Sequence, residues 1–352
     1  MKTLFKTLII AFVLINTKAL AQDTIKQENE TTIYTVALNI VPDGFNAPLI
    51  GFVNIAKGHH KSAHVGFVNF NYKSFSGLQL GYVNTSGGSA EGVQAGFVNT
   101  TTSSFKGLQY GFVNTITDTT QGVQVGFVNT SAKEAKGVQS GFVNACSEKI
   151  SGVQIGFVNA ARDEIEGLQA GFVNVSGNLK GLQIGFVNLA DSLDEGLPIG
   201  FLSIVRKGGY QAIELSVNEM YPLNLSFKIG VPMFYTSFIT SYNPGFEKKF
   251  AVGAGMGSVI SINESLFFNP ELVSLNTLGN SCQQTTSFTA GFGYAITPNI
   301  HIIAGPSVAW NYNPDSIDSY KPFLPIFEHH INDKKDMIVG FRFGLRYSFQ
   351  GL

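Results

Sequence analysis

The most regular pattern of apolar and polar residues in this chain is the cassette Gly-Phe/Tyr-Val-Asn. It begins at Gly51 and recurs every fifteen residues to Gly171, and a fourteen-residue step then leads to the tenth copy at Gly185. A degraded copy follows at Gly200. From the third copy onward the cassette extends backwards to Gly-Leu/Val-Gln-x-Gly-Phe/Tyr-Val-Asn. Self-similarity at a fixed period indicates a repeat architecture.

Three consecutive copies near the middle of the array define the positions to which we assign a structural role. These residues are Gly96, Phe97, Val98, Asn99, Gln109, Gly111, Phe112, Asn114, Gln124, Gly126, Phe127 and Asn129.

A fifteen-residue repeat is too short for a helical unit, because helical repeats need about 33 residues or more for their two helices. The cassette combines Phe and Val with flanking Gly and Asn, which is typical of a strand bounded by turns. Two β architectures fit this period. In a β-solenoid each repeat forms one coil, and equivalent residues stack about 4.8 Å apart. In a single large antiparallel barrel each repeat forms one strand and its turn.

Three features favour the solenoid. Gln and Asn each hold one fixed repeat position, and identical amides gain hydrogen bonds when they stack in register. The extended cassette has eight residues with Gln in the middle, whereas a lipid-facing barrel strand needs about ten alternating residues. The fourteen-residue step loses its residue between Asn174 and Gly181, in the variable arc, where a turn tolerates the loss. The same loss inside a strand would invert its two faces.

The variable arcs also predict which positions point inward. The sixth residue after each repeat Asn is mostly apolar, as at Phe75 and Ile150, so we expect it inside the coil. The seventh is polar, as at Glu91 and Lys136, so we expect it outside. Which face of the cassette forms the core stays open. The residue after Gln varies, which suggests an outer position, yet by alternation it lies on the same face as the near-constant Phe.

The second half of the chain changes to longer segments in which apolar and polar residues alternate. The predicted strands cover residues 210–218, 224–234, 250–260, 265–275, 285–295, 299–310 and 337–349. In the last segment an apolar set alternates with Arg342, Gly344, Arg346 and Ser348; that set is Phe341, Phe343, Leu345, Tyr347 and Phe349. Such alternation, with aromatic residues near the strand ends, is typical of transmembrane β-barrels.

Adding a strand at residues 32–40 gives eight strands, the smallest common barrel, with the solenoid inserted between the first two. We therefore predict an all-β chain with a 15-residue-per-coil β-solenoid and a C-terminal antiparallel β-barrel of about eight strands. A soluble β-sandwich packed on the solenoid end stays open as an alternative to the barrel, since the strands are not uniformly apolar on one face.

The predicted organisation has four parts: a targeting segment at residues 1–21, an N-terminal segment with a first strand or cap at 22–50, the tandem repeats at 51–205 and the barrel-like domain at 206–352. Lys2 and Lys6 precede a short apolar run, and Ala19-Leu20-Ala21 has the form of a signal-peptide cleavage site. We therefore expect an exported protein.

Composition narrows the functional classes. Charged residues make up 13% of the chain, against about 25% in an ordinary soluble domain, and 12% of the residues are aromatic, which excludes disorder for most of the chain. The 23 Lys and Arg residues face 24 Asp and Glu residues, so no net positive field is available for phosphates. Nucleic acid is therefore excluded as a partner.

The histidines and cysteines are the main candidates for chemistry. His59, His60 and His64 cluster in one arc, but the ordered Cys or carboxylate spacing of a metal site is missing, so we predict no metal. Cys146 and Cys282 either form a disulfide, which export would permit, or are two buried thiols.

Other chemical motifs are weak. The glycine-rich stretch at residues 253–257 continues as a strand, whereas a phosphate-binding loop requires a helix immediately after it. No nucleophile elbow or recurring carboxylate pair is present in the sequence. We therefore predict no catalytic residue, no cofactor and no enzymatic activity.

The tandem cassettes, followed by Gly196-Leu197-Pro198-Ile199-Gly200 and by residues 203–208 with the sequence Ser-Ile-Val-Arg-Lys-Gly, resemble the surface repeat-containing proteins of spirochaetes and Bacteroidota. The resemblance covers most of the chain after the targeting segment, and it departs in the first copies, where residues 62–65 read Ser-Ala-His-Val. It implies a cell-envelope or surface location and brings no catalytic residues.

Three functional hypotheses follow. The first is a non-catalytic envelope protein with a structural or adhesive role, whose partners are outer-membrane lipid and a surface or envelope component that the sequence does not identify. The second is a pore or transport-type barrel. The third is a periplasmic binding module whose barrel holds a small apolar ligand in a pocket lined by Phe267, Phe292 and Trp310.

Overall fold

The computed structural model describes residues 32–279, 283–314 and 321–349, so the predicted targeting segment lies outside the described residues. Every regular element in these ranges is a β-strand, and none of them contains a helix that could span a bilayer. The strands form a 20-stranded sheet coiled into a solenoid and a 10-stranded sheet that contains a barrel. The predicted fold class is confirmed. The alternative of one large antiparallel barrel is wrong, because the repeats stack in parallel.

The solenoid consists of the strands β1 Ile33–Tyr34, β2 Leu38–Val41, β3 Leu49–Ile50, β4 Val53–Ala56, β5 His60–Val65, β6 Val68–Asn71, β7 Phe75–Leu80, β8 Val83–Ser86, β9 Ala90–Ala95, β10 Val98–Thr101, β11 Phe105–Tyr110, β12 Val113–Ile116, β13 Thr120–Val125, β14 Val128–Ser131, β15 Ala135–Ser140, β16 Val143–Cys146, β17 Lys149–Ile155, β18 Val158–Ala170, β19 Val173–Leu193 and β20 Leu197–Lys207.

In most coils two short strands are joined by bends, one strand carrying the repeat Asn and the other the repeat Gln. Each strand pairs in parallel and in register with its equivalent one coil away, so Asn114 lies between Asn99 and Asn129, and Gln109 lies beside Gln124. This pairing is what a fifteen-residue period produces when each repeat is one turn of a solenoid.

The shortened coil is accommodated where the sequence predicts. In the pairing of β18 with β19 the register shifts between Ala161 and Glu164, so that Arg162 and Asp163 lie opposite the single residue Gly177. The lost residue therefore falls in the variable arc, and the faces of the flanking strands are preserved.

The structure resolves which face of the cassette is the core. The repeat Asn and Gln are buried inside the coil, together with the second residue after each repeat Asn and the sixth residue after each Asn from Asn54 to Asn159. The sixth position, as at Phe75 and Ile150, is inward as predicted, and the charged residues Glu91 and Lys136 are exposed. The Phe and the residue after Gln both point outward. Amides therefore form much of the interior.

Both glycines of the extended cassette are required by the close approach of neighbouring coils. Gly122 has φ +135°, and a Cβ there would lie 2.1 Å from the carbonyl oxygen of Gly107. A Cβ on Gly126 would lie 2.1 Å from the carbonyl oxygen of Gly111. Such distances are far inside van der Waals contact, so only glycine fits at either position without movement of the backbone.

The second sheet consists of β21 Tyr210–Val217, β22 Leu223–Val231, β23 Phe234–Tyr242, β24 Phe250–Gly257, β25 Ile260–Ser261, β26 Leu266–Thr277, β27 Gln284–Ala295, β28 Ile300–Tyr312, β29 Phe327–Asn332 and β30 Lys335–Ser348. Eight of these form a closed antiparallel barrel, because β21 pairs with both β22 and β30. The other two, β25 and β29, pair only with β26 and β30 respectively.

The expectation that residues 32–40 supply a barrel strand is wrong. β2 pairs in parallel with β4 and places Asn39 beside Asn54, so this segment belongs to the first coil of the solenoid. The eighth barrel strand is β23, which is separated from β22 by only two residues. The predicted strand at residues 224–234 covers β22 and ends at the first residue of β23, because the connecting pair, Pro232 and Met233, continues the apolar pattern and hides the turn. No strand is predicted for the rest of β23.

The last coil packs against the outer wall of the barrel at β22 and β23. Val231 joins the apolar cluster that contains Val205, and Thr236 Oγ1 donates a hydrogen bond to the carbonyl oxygen of Gly200 at 3.2 Å. This contact lies at the end of the barrel where residues 232–233 and 296–299 form short turns and residues 258–265, with β25, form the third connection; we call it the short-turn end. At the opposite, long-loop end, residues 313–334 form the longest connection.

Candidate functional site

The first candidate site is the amide core of the solenoid, which contains the predicted repeat Asn and Gln. Asn114 Nδ2 donates to Asn129 Oδ1 at 2.8 Å and to the carbonyl oxygen of Val125 at 2.9 Å. Asn99 Nδ2 in turn donates to Asn114 Oδ1 at 2.8 Å. The ladder runs from Asn39 to Asn188 and gives these buried amides the hydrogen-bond partners that burial demands.

The Gln residues form a second ladder that runs in the opposite direction. Gln124 Nε2 donates to Gln109 Oε1 at 2.9 Å, and Gln139 Nε2 donates to Gln124 Oε1 at 2.7 Å. The Gln donors therefore point toward the N-terminal coils, while the Asn donors point toward the barrel. Aligned amides polarise one another within each ladder. The opposed directions largely cancel the two dipoles along the solenoid.

A buried histidine pair occupies the N-terminal end of the Gln ladder. His64 takes the Gln position, and its Nε2 lies 3.1 Å from His60 Nδ1, while His60 Nε2 lies 3.1 Å from the carbonyl oxygen of Ala47. Burial lowers the pKa of His64 to about 3 and also lowers the pKa of His60, so both rings are neutral at pH 7. His64 Nδ1 is buried with no hydrogen-bond partner in the described part of the chain.

The second candidate site is the aromatic ladder, which is the stack of the repeat Phe and Tyr rings outside the solenoid. Neighbouring rings are 4.9–5.1 Å apart between centroids and within 9° of parallel. Each ring is 43% to 61% exposed. The stack contains Phe52, Phe67, Tyr82, Phe97, Phe112, Phe127, Phe142, Phe157, Phe172, Phe186 and Phe201.

The aromatic ladder lies on a wider apolar face. The residue after each Gln also points outward and is often large and exposed, as at Leu80, Tyr110, Ile155 and Ile184. Soluble monomers rarely expose contiguous apolar patches of more than a few hundred Å². This face, about 50 Å long, is therefore a candidate interaction surface.

Charge is confined to the opposite side of the coil. In the repeats, Asp, Glu, Lys and Arg occur only from the third to the seventh residue after the repeat Asn, so the segment from Gly122 to Ser131 and its equivalents are free of charge. Ion pairs connect neighbouring coils within this polar arc, including Lys106 with Glu91 at 3.2 Å. These pairs are exposed and contribute little to stability.

The third candidate site is the outer wall of the barrel. The alternation predicted for the last strand is confirmed, because Phe343 and Leu345 are exposed on the outside while Arg342 and Arg346 are buried inside. Large apolar residues follow the same outward pattern on other strands, including Leu225 and Phe288. Aromatic residues lie near both ends of the wall: Tyr294, Tyr347 and Phe349 at the short-turn end, and Tyr242, Phe250, Trp310 and Tyr312 at the long-loop end.

The barrel lumen contains a network of buried charges. Arg342 donates to both Glu214 and Glu271, Arg346 Nε donates to Glu214 Oε2 at 2.8 Å, and Lys228 Nζ lies 2.5 Å from Glu271 Oε1. All five side chains are buried. Paired charges of this kind satisfy one another, whereas a single buried charge would be strongly destabilising.

Apolar clusters fill the lumen on both sides of this network. One includes Tyr210, Tyr235 and Phe267 near the short-turn end. The other includes Tyr221 and Phe246 near the long-loop end. An eight-stranded barrel is just wide enough to be filled by its own side chains, which matches this arrangement.

Two other sequence predictions concern specific side chains. Of the residues expected to line an apolar ligand pocket, only Phe267 points inward, while Phe292 and Trp310 lie on the outer wall, so that lining is wrong. Cys146 is a buried free thiol, and burial raises its pKa to about 12. Cys282 lies outside the described residues. Among the described residues no group of three or more His, Cys, Asp and Glu side chains is positioned to hold a metal ion.

Sequence reasoning missed the lumen network. Its five members lie on four strands and are separated by up to 132 residues, so no local spacing connects them. The available signal was that Glu214, Lys228 and Glu271 each occupy a position of the inward-facing set in a strand of alternating polarity. That signal becomes informative only when the strand pairing is known.

Comparison with known proteins gives little further information. Neither a family model nor a curated protein matches this chain, so the resemblance to surface repeat-containing proteins stays a prediction. One solved structure with a similarity is the crystal structure of Neisserial surface protein A (NspA), with 15% sequence identity and a TM-score of 0.21. The match covers 40% of this chain and 94% of that chain.

Proposed function

We propose that this chain is a non-catalytic protein of the outer membrane, in which the barrel is the anchor and the solenoid is a structural or adhesive contact surface. The observation that carries the proposal is the outer wall of the barrel, where exposed apolar residues such as Phe343 are bordered at both ends by aromatic residues. A band of this kind is what lipid contact selects. The predicted targeting segment and the resemblance to surface repeat-containing proteins agree with an envelope location.

The filled lumen favours an anchor over a pore. A conducting barrel needs a water-filled interior, whereas here paired charges occupy the middle of the lumen and apolar clusters lie on either side. The same packing disfavours a binding module for a small apolar ligand. Lipid is thus the partner of the barrel in this proposal, and a surface or envelope component is the partner of the solenoid.

The proposal is tested by fractionating envelopes of a Gram-negative host that expresses the full chain. We expect the protein to sediment with the outer membrane and to remain there after carbonate extraction. Phe343→Arg should reduce insertion, because a cation on the lipid face costs about 2–4 kcal/mol near the bilayer midplane. Ile331→Arg is the matched control, since Ile331 is exposed in β29 beyond the barrel wall.

Two outcomes would contradict the proposal. One is release of the wild-type protein in the soluble fraction. The other is equal membrane retention of Phe343→Arg and wild type when both are folded, because a lipid-facing position cannot be indifferent to charge.

A further inference from the structure

We propose that the aromatic ladder of the solenoid is itself a membrane-contacting surface, and that the solenoid lies with this face against the leaflet at the short-turn end of the barrel. The inference rests on the proposed membrane location of the barrel and extends it to a second, larger part of the chain. It assigns lipid, rather than a protein partner, to the apolar face of the repeats.

The first argument is continuity between the two apolar surfaces. Phe201, the last ring of the aromatic ladder, packs edge-on against Phe238 on the outer wall, with centroids 5.5 Å apart. Phe238 pairs across the sheet with Phe227, which is exposed among the lipid-facing residues of β22. The ladder is therefore an extension of the band that contacts lipid, with no charged side chain between Phe201 and Phe238.

The second argument is the segregation of charge. Every Asp, Glu, Lys and Arg of the repeats lies in the polar arc, on the other side of the coil from the aromatic ladder. An element with one apolar face and one charged face binds in the interfacial plane of a membrane, with its apolar side buried about 5–10 Å. Aromatic rings are suited to that depth.

The third argument is that the solenoid backbone can approach lipid without an unsatisfied edge along its length. Each coil pairs on both sides with the next, as β12 pairs with β10 and β14, and the amides of the core satisfy one another. Exposed sheet edges are excluded from hydrocarbon because their polar groups have no partners. In this solenoid only the two terminal coils have such edges.

The arrangement also predicts sidedness. Barrels of outer membranes have short turns on the periplasmic side and longer loops outside. The last coil contacts the wall beside the short turn at residues 232–233, so the aromatic ladder meets the periplasmic leaflet. The polar arc then faces the periplasm and is available to an envelope partner.

The experiment uses Trp fluorescence, because Trp310 is the only Trp in the chain and lies on the outer wall of the barrel. The full-length protein is folded into phosphatidylcholine vesicles with unmodified or 6,7-dibrominated acyl chains. Quenching of Trp310 by the brominated lipid reports on the barrel. In the Trp310→Phe background, Phe127→Trp and Tyr110→Trp report on the apolar face, and Lys133→Trp in the polar arc is the matched control.

We expect Phe127→Trp and Tyr110→Trp to be quenched by brominated lipid by a fraction comparable to that of Trp310. Lys133→Trp should instead be quenched by aqueous iodide. The Tyr110→Trp variant on the apolar face keeps the test decisive if Trp disturbs the stack at position 127, since Tyr110 is 61% exposed and its replacement needs no repacking.

The contradicting outcomes separate this inference from the proposed function. If Trp310 is quenched by brominated lipid but neither Phe127→Trp nor Tyr110→Trp is, the barrel is in the membrane and the apolar face of the solenoid is not. If Phe127→Trp and Tyr110→Trp show blue-shifted emission that depends on protein concentration, and no quenching by brominated lipid, a second copy of the chain covers this face. If none of the three reporters is quenched, both proposals fail.

Discussion

At the scale of single residues, the stability of the repeats depends on buried amides whose hydrogen-bond partners are fixed by the stacking of the coils. The repeat Asn and Gln are buried, and each one except those at the ends of the two ladders lies between identical residues in the neighbouring coils. Their positions were predictable, because identical amides at a fixed period indicate a stack. Their inward direction was not predictable, because alternation along the cassette is equally consistent with Phe inside and amides outside.

The Asn ladder makes a direct prediction at Asn114. Asn114→Ala leaves Asn129 Oδ1 without a donor among the described residues. Asn99 Nδ2 loses one of its two acceptors and keeps the carbonyl oxygen of Tyr110, and the carbonyl oxygen of Val125 loses one of its two donors and keeps the N–H of Gly111. A buried group left unsatisfied costs about 1–3 kcal/mol, so we expect the free energy of unfolding to fall by about that amount. Urea unfolding followed by circular dichroism in detergent measures the change.

The matched control is the next residue in the same strand. Thr115 is buried, and its hydroxyl has no hydrogen-bond partner among the described residues. Thr115→Val should therefore change the free energy of unfolding by less than about 1 kcal/mol, with either no effect or a gain. A loss at Thr115→Val equal to that of Asn114→Ala would show that the strand tolerates no substitution and that the ladder has no special role.

His64 predicts a pH dependence of the first coils. The pKa of a His in the unfolded chain is about 6.5, whereas burial lowers the pKa of folded His64 to about 3. Between these values the unfolded state binds more protons, so the stability of the N-terminal coils should fall as the pH decreases from 6.5 toward 3. Amide hydrogen exchange of the first coils, compared as protection relative to the unfolded chain at pH 7 and at pH 5, measures this loss.

The variant His64→Gln restores the residue that other coils carry at this position. Gln79 Nε2, whose bond to the carbonyl oxygen of Thr85 is 3.5 Å long, would gain an acceptor in the ladder. We expect His64→Gln to show more protection of the first coils at pH 5 than the wild type, and a weaker dependence of that protection on pH. His60 is responsible for the dependence that remains. His329→Gln in the exposed strand β29 is the control and should leave exchange of the first coils unchanged. Unchanged pH dependence in His64→Gln would contradict the assignment.

At the scale of elements, the coil is the unit that can be added or removed. Its existence and period were readable from the sequence, as was the position of the missing residue in the shortened coil. The barrel strands were mostly predictable from their alternation. β23 was missed because its turn has only two residues, and β2 was assigned to the wrong sheet because a four-residue strand carries no information about its partner.

Deletion of one complete repeat tests the coil as a unit. Removing residues 122–136 joins Gln121 to Gly137, which lets Asn114 bond Asn144 and Gln109 bond Gln139 in the original register. Solenoid stability is approximately a sum of coils and their interfaces, so we expect a folded protein shortened by about one 4.9 Å step. Circular dichroism and the urea transition report on the fold.

The control deletion removes residues 122–129, which is about half a coil. It shifts every later residue relative to its neighbours, so inward amides meet outward positions and the two ladders are interrupted. We expect loss of the cooperative urea transition. Equal behaviour of the two deletions would contradict a solenoid that depends on register.

At the scale of the whole molecule, two β structures of different kinds share one apolar surface. The barrel interior contains paired charges beside apolar clusters, and the solenoid interior contains amides beside apolar side chains, while both exteriors expose large apolar residues. The combination of buried amides and charges with a contiguous apolar exterior is the strongest physical reason for the proposal that both structures lie against lipid. The sequence indicated it in the last strand only, because elsewhere the assignment of faces required the pairing.

The central claim is that the barrel is a membrane barrel that anchors the solenoid, and heat-modifiability of the full-length protein from native envelopes tests it most directly. We predict that the unboiled protein migrates faster on a denaturing gel than the boiled protein, because a closed barrel resists unfolding by detergent until it is heated. Identical mobility before and after boiling, together with recovery of the protein in the soluble fraction, would contradict the account.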